Sequence, residues 1–104
     1  MRGMSVRLAI VLLLGLSGCA RRDFSGLCKL AQEIVGEPRI ASHDRLARFV
    51  ADADKSAYSP DVRNVVITLP SIASTDRYRV LVETAREKGL TNYRCPALEK
   101  VVSD

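Results

Sequence analysis

The sequence has little of what most catalytic sites require. It contains a single histidine, His43, and it lacks a glycine-rich phosphate loop, an HExxH motif and a GxSxG motif. The run Ser42-His43-Asp44 carries the letters of a catalytic triad, but three consecutive residues at a helix start cannot adopt triad geometry. Asp52 and Asp54 are two residues apart, so they diverge on a helix and predict a solvated face. The sequence therefore predicts a protein that is not an enzyme and binds no cofactor or metal.

One long apolar run is present, "LAIVLLLGL" from Leu8 to Leu16, with Arg7 before it and Arg21-Arg22 after it. A transmembrane helix requires about 20 apolar residues, so this run is too short to span a bilayer. The run is apolar on every face, which argues against an amphipathic helix of a folded core. A basic start, about 7–15 apolar residues and small residues after them are typical of a secretory signal peptide. We therefore expect residues 1–18 to be a cleaved signal peptide.

The residues Leu16-Ser17-Gly18-Cys19 resemble the lipobox of bacterial lipoproteins, in which an apolar residue and two small residues precede a cysteine. The resemblance implies cleavage before Cys19, a diacylglycerol thioether on its sulfur and acylation of its new amino group. Two or more acyl chains give stable membrane anchoring, whereas one holds a membrane only marginally. In this family an aspartate after the cysteine is associated with inner-membrane retention, so Ala20 favours the outer membrane. Ordinary secretion, with Gly18-Cys19-Ala20 as the cleavage site, stays an alternative.

Beyond the signal peptide we expect a lipidated anchor and short tether over residues 19–23 and one domain over residues 24–104. Arg2 and Arg7 leave with the signal peptide, so 14 basic and 12 acidic side chains remain, a formal charge of +2. These charges are interspersed, which argues against a nucleic-acid partner. Arg21 and Arg22 either lie among lipid headgroups, where each adds on the order of 1 kcal/mol on an anionic surface, or belong to a solvated linker.

Two cysteines, Cys28 and Cys95, remain once Cys19 is lipidated or removed. A pair of thiols in an exported protein predicts a disulfide. Its closed loop of about 70 residues would stabilise the fold by about 4 kcal/mol in the chain-entropy model. Two cysteines and one histidine cannot complete a closed zinc site without a carboxylate, and no C-x-x-C redox pair is present. A haem-ligating dipeptide at Cys95-Pro96 is too short a signal to compete with the disulfide.

The rest of the chain predicts an all-α fold, a small bundle of four to five helices stapled by one disulfide. Apolar residues recur at helical spacing in successive segments separated by Gly or Pro. Asp23 or Ser25 is the predicted cap of the first segment, and Ser42 is that of the second. The predicted segments are 24–35, 42–57, 60–69, 74–89 and 95–102.

Two of these segments carry more specific predictions. In Val65–Pro70 the β-branched residues would also suit a strand, but we favour a helix because no partner strand is evident. The segment 74–89 is capped by its first residues, has a surface pair of Arg79 with Glu83, and ends at Gly89.

The stretch from Ala85 to Glu99 resembles the ending of small uncharacterised exported proteins of proteobacteria, a resemblance that implies no activity. Tyr58, Tyr78 and Tyr93 lie near predicted helix boundaries, where tyrosine serves at a core edge or in a binding surface. We expect a lipid-anchored, non-catalytic module that binds a protein partner in the bacterial cell envelope. The alternatives are a small helical carrier of a hydrophobic ligand and a plainly secreted helical domain.

Overall fold

The protein's structure, a computed structural model, describes the backbone of residues 2–104 and the side chains of residues 19–104. Five α-helices follow one another, and this part of the chain contains no β-strand. Short 3-10 turns precede the second helix at Ser42–Asp44 and follow the third at Leu69–Ser71. The helices are α1 (Arg2–Val35), α2 (Arg45–Asp54), α3 (Pro60–Thr68), α4 (Ser74–Glu87) and α5 (Pro96–Ser103). The predicted all-α bundle is confirmed, and Val65–Pro70 is helical.

The last helix, α5, lies at the centre of the bundle, where it packs against α1, α4 and α2. Its side chains Leu98, Val101 and Val102 are fully buried. A helix of 8 residues is too short to persist alone in water. Its stability therefore depends on this burial, which contributes about 1.5–3 kcal/mol for each large apolar side chain. The other large side chains that are fully buried are Phe24, Leu27, Phe49, Val62, Val66, Leu69 and Leu81.

The predicted disulfide is confirmed: Cys28 in α1 is bonded to Cys95, which directly precedes α5. The two Cα atoms are 5.8 Å apart, within the range of ordinary disulfides. Cys95 is fully buried, whereas Cys28 is half-buried at the edge of the core. The bond therefore ties the short central helix to the first helix of the domain.

The predicted start of the first helix is wrong. Residues 19–22 are already helical, so neither Asp23 nor Ser25 caps α1. Within the segment 19–23, which we expected to be a tether, Ala20 and Asp23 are 3% and 2% exposed, whereas Cys19, Arg21 and Arg22 are exposed. Asp23 serves another element instead, since its carboxylate accepts a hydrogen bond from the backbone N–H of Ser59 at the start of α3.

The other helix ends agree with the sequence in part. Gly89, at φ 96°, ends α4 in a Schellman motif in which the Leu90 N–H bonds to the Ala85 carbonyl. The caps expected at Ser42 and in the first turn of α4 make no side-chain cap bond. The expected surface pair of Arg79 with Glu83 is not formed either.

Arg79 instead pairs with Asp76, at 3.1 Å, and not with Glu83. The two pairings compete on the same exposed face, because the partners lie three and four residues from Arg79 on the helix.

The end of the bundle farthest from Cys19 is closed by two arginines. The Arg77 guanidinium donates to the carbonyls of Leu69, Ile72 and Val102 at 2.9, 2.9 and 3.1 Å, which joins α4 to the preceding 3-10 turn and to α5. Arg45, at the start of α2, pairs with Asp104 at 3.2 Å. A single side chain, Arg77, therefore binds three backbone carbonyls, of which that of Leu69 also accepts the Ile72 N–H.

Candidate membrane-anchor site

The predicted lipidation site, Cys19, is an exposed free cysteine in α1. The rest of the predicted cleavage motif, Leu16, Ser17 and Gly18, lies outside the residues whose side chains the structure describes, as does the predicted signal peptide. The structure describes the surface of the domain around the part of α1 that follows Cys19. This surface is formed by the turns of α1 that begin at Cys19 and by the two loops that pack against them.

The loop before α3 is the first of these neighbours. Its N–H at Ser59 donates to the Asp23 carboxylate at 3.1 Å. Tyr58 lies against Gly26 so closely that a Cβ at position 26 would stand 2.9 Å from the tyrosine ring. Burial raises the pKa of the Tyr58 hydroxyl above its ordinary value, and the nearby carboxylates of Asp23 and Glu33 act in the same direction. Glycine at position 26 therefore permits the close approach of this loop to α1.

The loop between α4 and α5 is the second neighbour. The Tyr93 hydroxyl donates to the Phe24 carbonyl at 2.7 Å, and the two rings stack edge to face with centroids 5.1 Å apart. Burial is the main cause that raises the pKa of Tyr93 well above its ordinary value. Tyr78 in α4 accepts a hydrogen bond from the Cys95 N–H at 2.9 Å. Each of the three tyrosines therefore has a role at the core edge, one of the two roles that the sequence allowed.

An open cavity of about 300 Å³ lies between α1 and the loop that follows α4. Arg21, Phe24 and Ser25 line one side, and residues 89–93 line the other. A second, smaller cavity of about 200 Å³ lies near the opposite end of α1, beside the ion pair of Arg48 with Asp52. The larger cavity is thus directly beside the predicted anchor, and it combines a guanidinium with aromatic and aliphatic groups.

The remaining candidates do not assemble into a site. His43 and Asp44 are side by side on the surface, with side chains 82% and 65% exposed, and Ser42 is exposed as well. Asp52 pairs with Arg48, while Asp54 is exposed. Among the described side chains, no group of three or more His, Cys, Asp or Glu residues is placed to hold a metal ion. Within that same part of the chain, no helix is long and apolar enough to cross a membrane.

Asp23 is the residue whose role the sequence did not reveal. Its position before an apolar stripe is typical of an N-cap, and the same position suits a buried acceptor for a distant N–H. The absence of a proline or other helix breaker between residues 19 and 23 was the available signal that the helix continues through it.

Comparison with known proteins adds no further information. No family model, no curated protein and no solved structure matches this chain.

Proposed function

We propose that this protein is a bacterial envelope lipoprotein, anchored to a membrane by acyl chains on Cys19. The observation that carries the proposal is the position of Cys19, an exposed thiol that follows the apolar run and three lipobox residues directly. Its sulfur is accessible for thioether formation, in contrast to the half-buried and fully buried sulfurs of the disulfide. Ala20 at the next position favours the outer membrane, on the resemblance to the family.

The disulfide supports export of the domain across a membrane. Disulfides persist in oxidising compartments such as the bacterial periplasm and are rare in the cytosol. Cys28 and Cys95 are bonded, while Cys19 is not. A lipoprotein with one disulfide needs this arrangement, in which two cysteines are bonded and the third is free for acylation.

For the role of the anchored domain, we propose a small non-catalytic module that binds a protein partner. Among the described residues, the exposed large hydrophobic side chain is Ile67 on α3, at 45% exposure. It gives a partner an apolar contact on a surface of otherwise polar groups. The carrier alternative relies on the cavity beside Arg21, which at about 300 Å³ is at the lower limit of small-molecule sites. A lipid-sized ligand needs more room, so the partner-binding role is favoured.

The anchor is tested by the intact mass of the protein extracted from its native membrane. We expect the mass of residues 19–104 plus acyl chains, and an increase of two hydrogens on reduction. The variant Cys19→Ser is expected to leave the membrane fraction, while Ser25→Ala, an exposed substitution in the same helix, stays with it. An unacylated chain starting at Arg21 contradicts the anchor and supports plain secretion.

The partner-binding role is tested by photo-crosslinking in intact cells. A photoreactive residue at position 67 is expected to give a discrete protein adduct, and one at Glu83, exposed on α4, gives none. Native mass spectrometry of the same protein is expected to show no bound small molecule. Adducts only with lipid at position 67, together with a co-purified hydrophobic ligand, would support the carrier instead.

A further inference from the structure

Three segments meet at the end of the bundle that carries Cys19, and we name them together the basic end: residues 19–26, 55–61 and 88–94. Hydrogen bonds described above join the first segment to each of the other two. An ion pair between Lys88 and Asp61 joins those two to each other. The basic end is therefore one continuous surface around the first turns of the described part of α1.

The charge of the basic end is strongly positive. Its segments contain five basic and two acidic residues. Of the two acids, Asp23 is buried, and Asp61 is paired with Lys88, whose ammonium holds the pKa of that carboxyl below its ordinary value. Arg21, Arg22 and Arg94 are exposed and form no ion pair with any described side chain. The positive charge is thus available to an external anion.

The opposite end of the bundle does not share this positive charge. It consists of residues 36–45, 69–77 and 102–104, which the arginine contacts described above hold together. These segments contain three basic and four acidic residues. At 1.5 Å per residue, α1 separates Cys19 from Val35 by about 24 Å. The domain is therefore polarised along α1, with its positive end at the predicted anchor.

The connection between the anchor and the domain is very short. Cys19 is followed at once by Ala20, which is helical and 3% exposed. One residue spans at most about 3.6 Å, so acyl chains on Cys19 leave the basic end almost no distance from the membrane surface. A flexible tether would let the domain turn freely, whereas this junction keeps one end of it among the headgroups.

On the basis of the proposed lipid anchor, we propose that the basic end is a membrane-docking surface that binds anionic phospholipid headgroups. In the docked orientation α1 points away from the bilayer, and the end of the bundle opposite the basic end faces outward. The cavity beside Arg21 opens on this surface, where Thr91 supplies a further polar group for a headgroup. Anionic headgroups fit this surface because Arg21, Arg22 and Arg94 give it charge complementarity.

The orientation is measured with tryptophan, which the sequence lacks, so that each introduced residue is the single reporter. Asn92→Trp places it at the basic end and Ala41→Trp at the opposite end, and both positions are exposed and uncharged. The acylated proteins, purified from membranes, are reconstituted into vesicles of phosphatidylcholine alone or with phosphatidylglycerol. A lipid with a nitroxide-labelled headgroup serves as the quencher. We expect stronger quenching at position 92 than at position 41, with a larger difference in the anionic vesicles.

The contribution of charge is measured by adding Arg21→Gln and Arg22→Gln to the Asn92→Trp protein. A basic residue near an anionic surface contributes a factor of about five, so the ratio of docked to undocked domain is expected to fall by up to about 25-fold. This loss should appear in the vesicles that contain phosphatidylglycerol and be absent in phosphatidylcholine. The matched control is Lys29→Gln with Arg39→Gln, two exposed basic residues outside the basic end, which are expected to leave the quenching unchanged.

The mass of each protein separates the two proposals. Equal quenching at positions 92 and 41, or unchanged quenching after the loss of Arg21 and Arg22, overturns the docking surface if the acyl chains are present. The anchor then stands without it. A mass without acyl chains overturns the anchor and the docking surface together.

Discussion

Reduction of the Cys28–Cys95 disulfide is expected to remove about 4 kcal/mol from the free energy of unfolding. The two residues are 67 positions apart, and a loop of that length loses this much conformational entropy when it is closed in the unfolded chain. A domain of this size is stable by about 4–13 kcal/mol in total, so the bond supplies a large fraction. The loss falls most heavily on α5, whose 8 residues cannot form a helix without their neighbours.

The assay is urea unfolding of the protein that carries Cys19→Ser, which removes the third sulfur and prevents exchange. The oxidised and reduced forms have the same side chains, so their difference isolates the covalent bond from packing. We expect a lower midpoint for the reduced form and a steeper denaturant dependence, because an unfolded chain without the crosslink exposes more surface. A difference in the free energy of unfolding below about 1 kcal/mol refutes the entropic argument. The helical content of the native state, followed by circular dichroism, should be equal in the two forms.

Three further predictions concern the hydrogen bonds that join the helices. Tyr93→Phe is expected to cost about 1 kcal/mol in urea unfolding through loss of the bond to α1, and a native variant of unchanged stability contradicts this. Burial raises the pKa of Tyr93 above the ordinary value of 10.0, so the unfolded chain loses this proton first. The contribution of Tyr93 to stability should therefore be constant below that pH and fall above it, and the fall in stability should be less steep in Tyr93→Phe. Asp23→Ala is expected to cost about 1–3 kcal/mol because it leaves the part-buried Ser59 N–H without its acceptor, whereas Asp23→Asn retains an acceptor and should cost less. Equal losses for the two variants in thermal unfolding would argue against that bond. Arg77→Met is expected to cost about 2–3 kcal/mol in the free energy of unfolding, because it removes hydrogen bonds to three carbonyls. The control Arg79→Met, which breaks an exposed ion pair, should cost below about 1 kcal/mol. Similar costs for the two variants would contradict the role of the Arg77 hydrogen bonds.

Much of the fold could be predicted because its signals are local. The spacing of Phe24, Leu27 and Ala31 marks one helical face, and all three side chains are buried in α1. Gly89 was recognisable as a helix end because few other residues adopt its positive φ. The disulfide followed from the count of cysteines in a chain that we expected to be exported, without any knowledge of the distance between them.

The predicted start of α1 is wrong because it depends on contacts between distant segments. Asp23 has the sequence features of an N-cap, but its partner is the N–H of Ser59, 36 residues away. The burial of Ala20 is likewise not specified by a local pattern. The bonds of Arg77 to three carbonyls carry no signal in the sequence either. In a sequence such an arginine resembles any other basic residue on a helix.

An acyl anchor on Cys19, as proposed, would also determine where mechanical force from the membrane enters the domain. If acyl chains hold Cys19, tension between the membrane and a bound partner acts along α1, beginning at a residue next to the buried Ala20. Nine residues farther along, the Cys28 bond transfers part of that load to Cys95 and so to α5 at the centre of the core. An anchor on a long flexible segment would not load the core, but it would also leave the orientation of the domain undefined. Under the proposed anchor, the short junction would orient the domain and also transmit force to it, and the disulfide between α1 and Cys95 would resist that force.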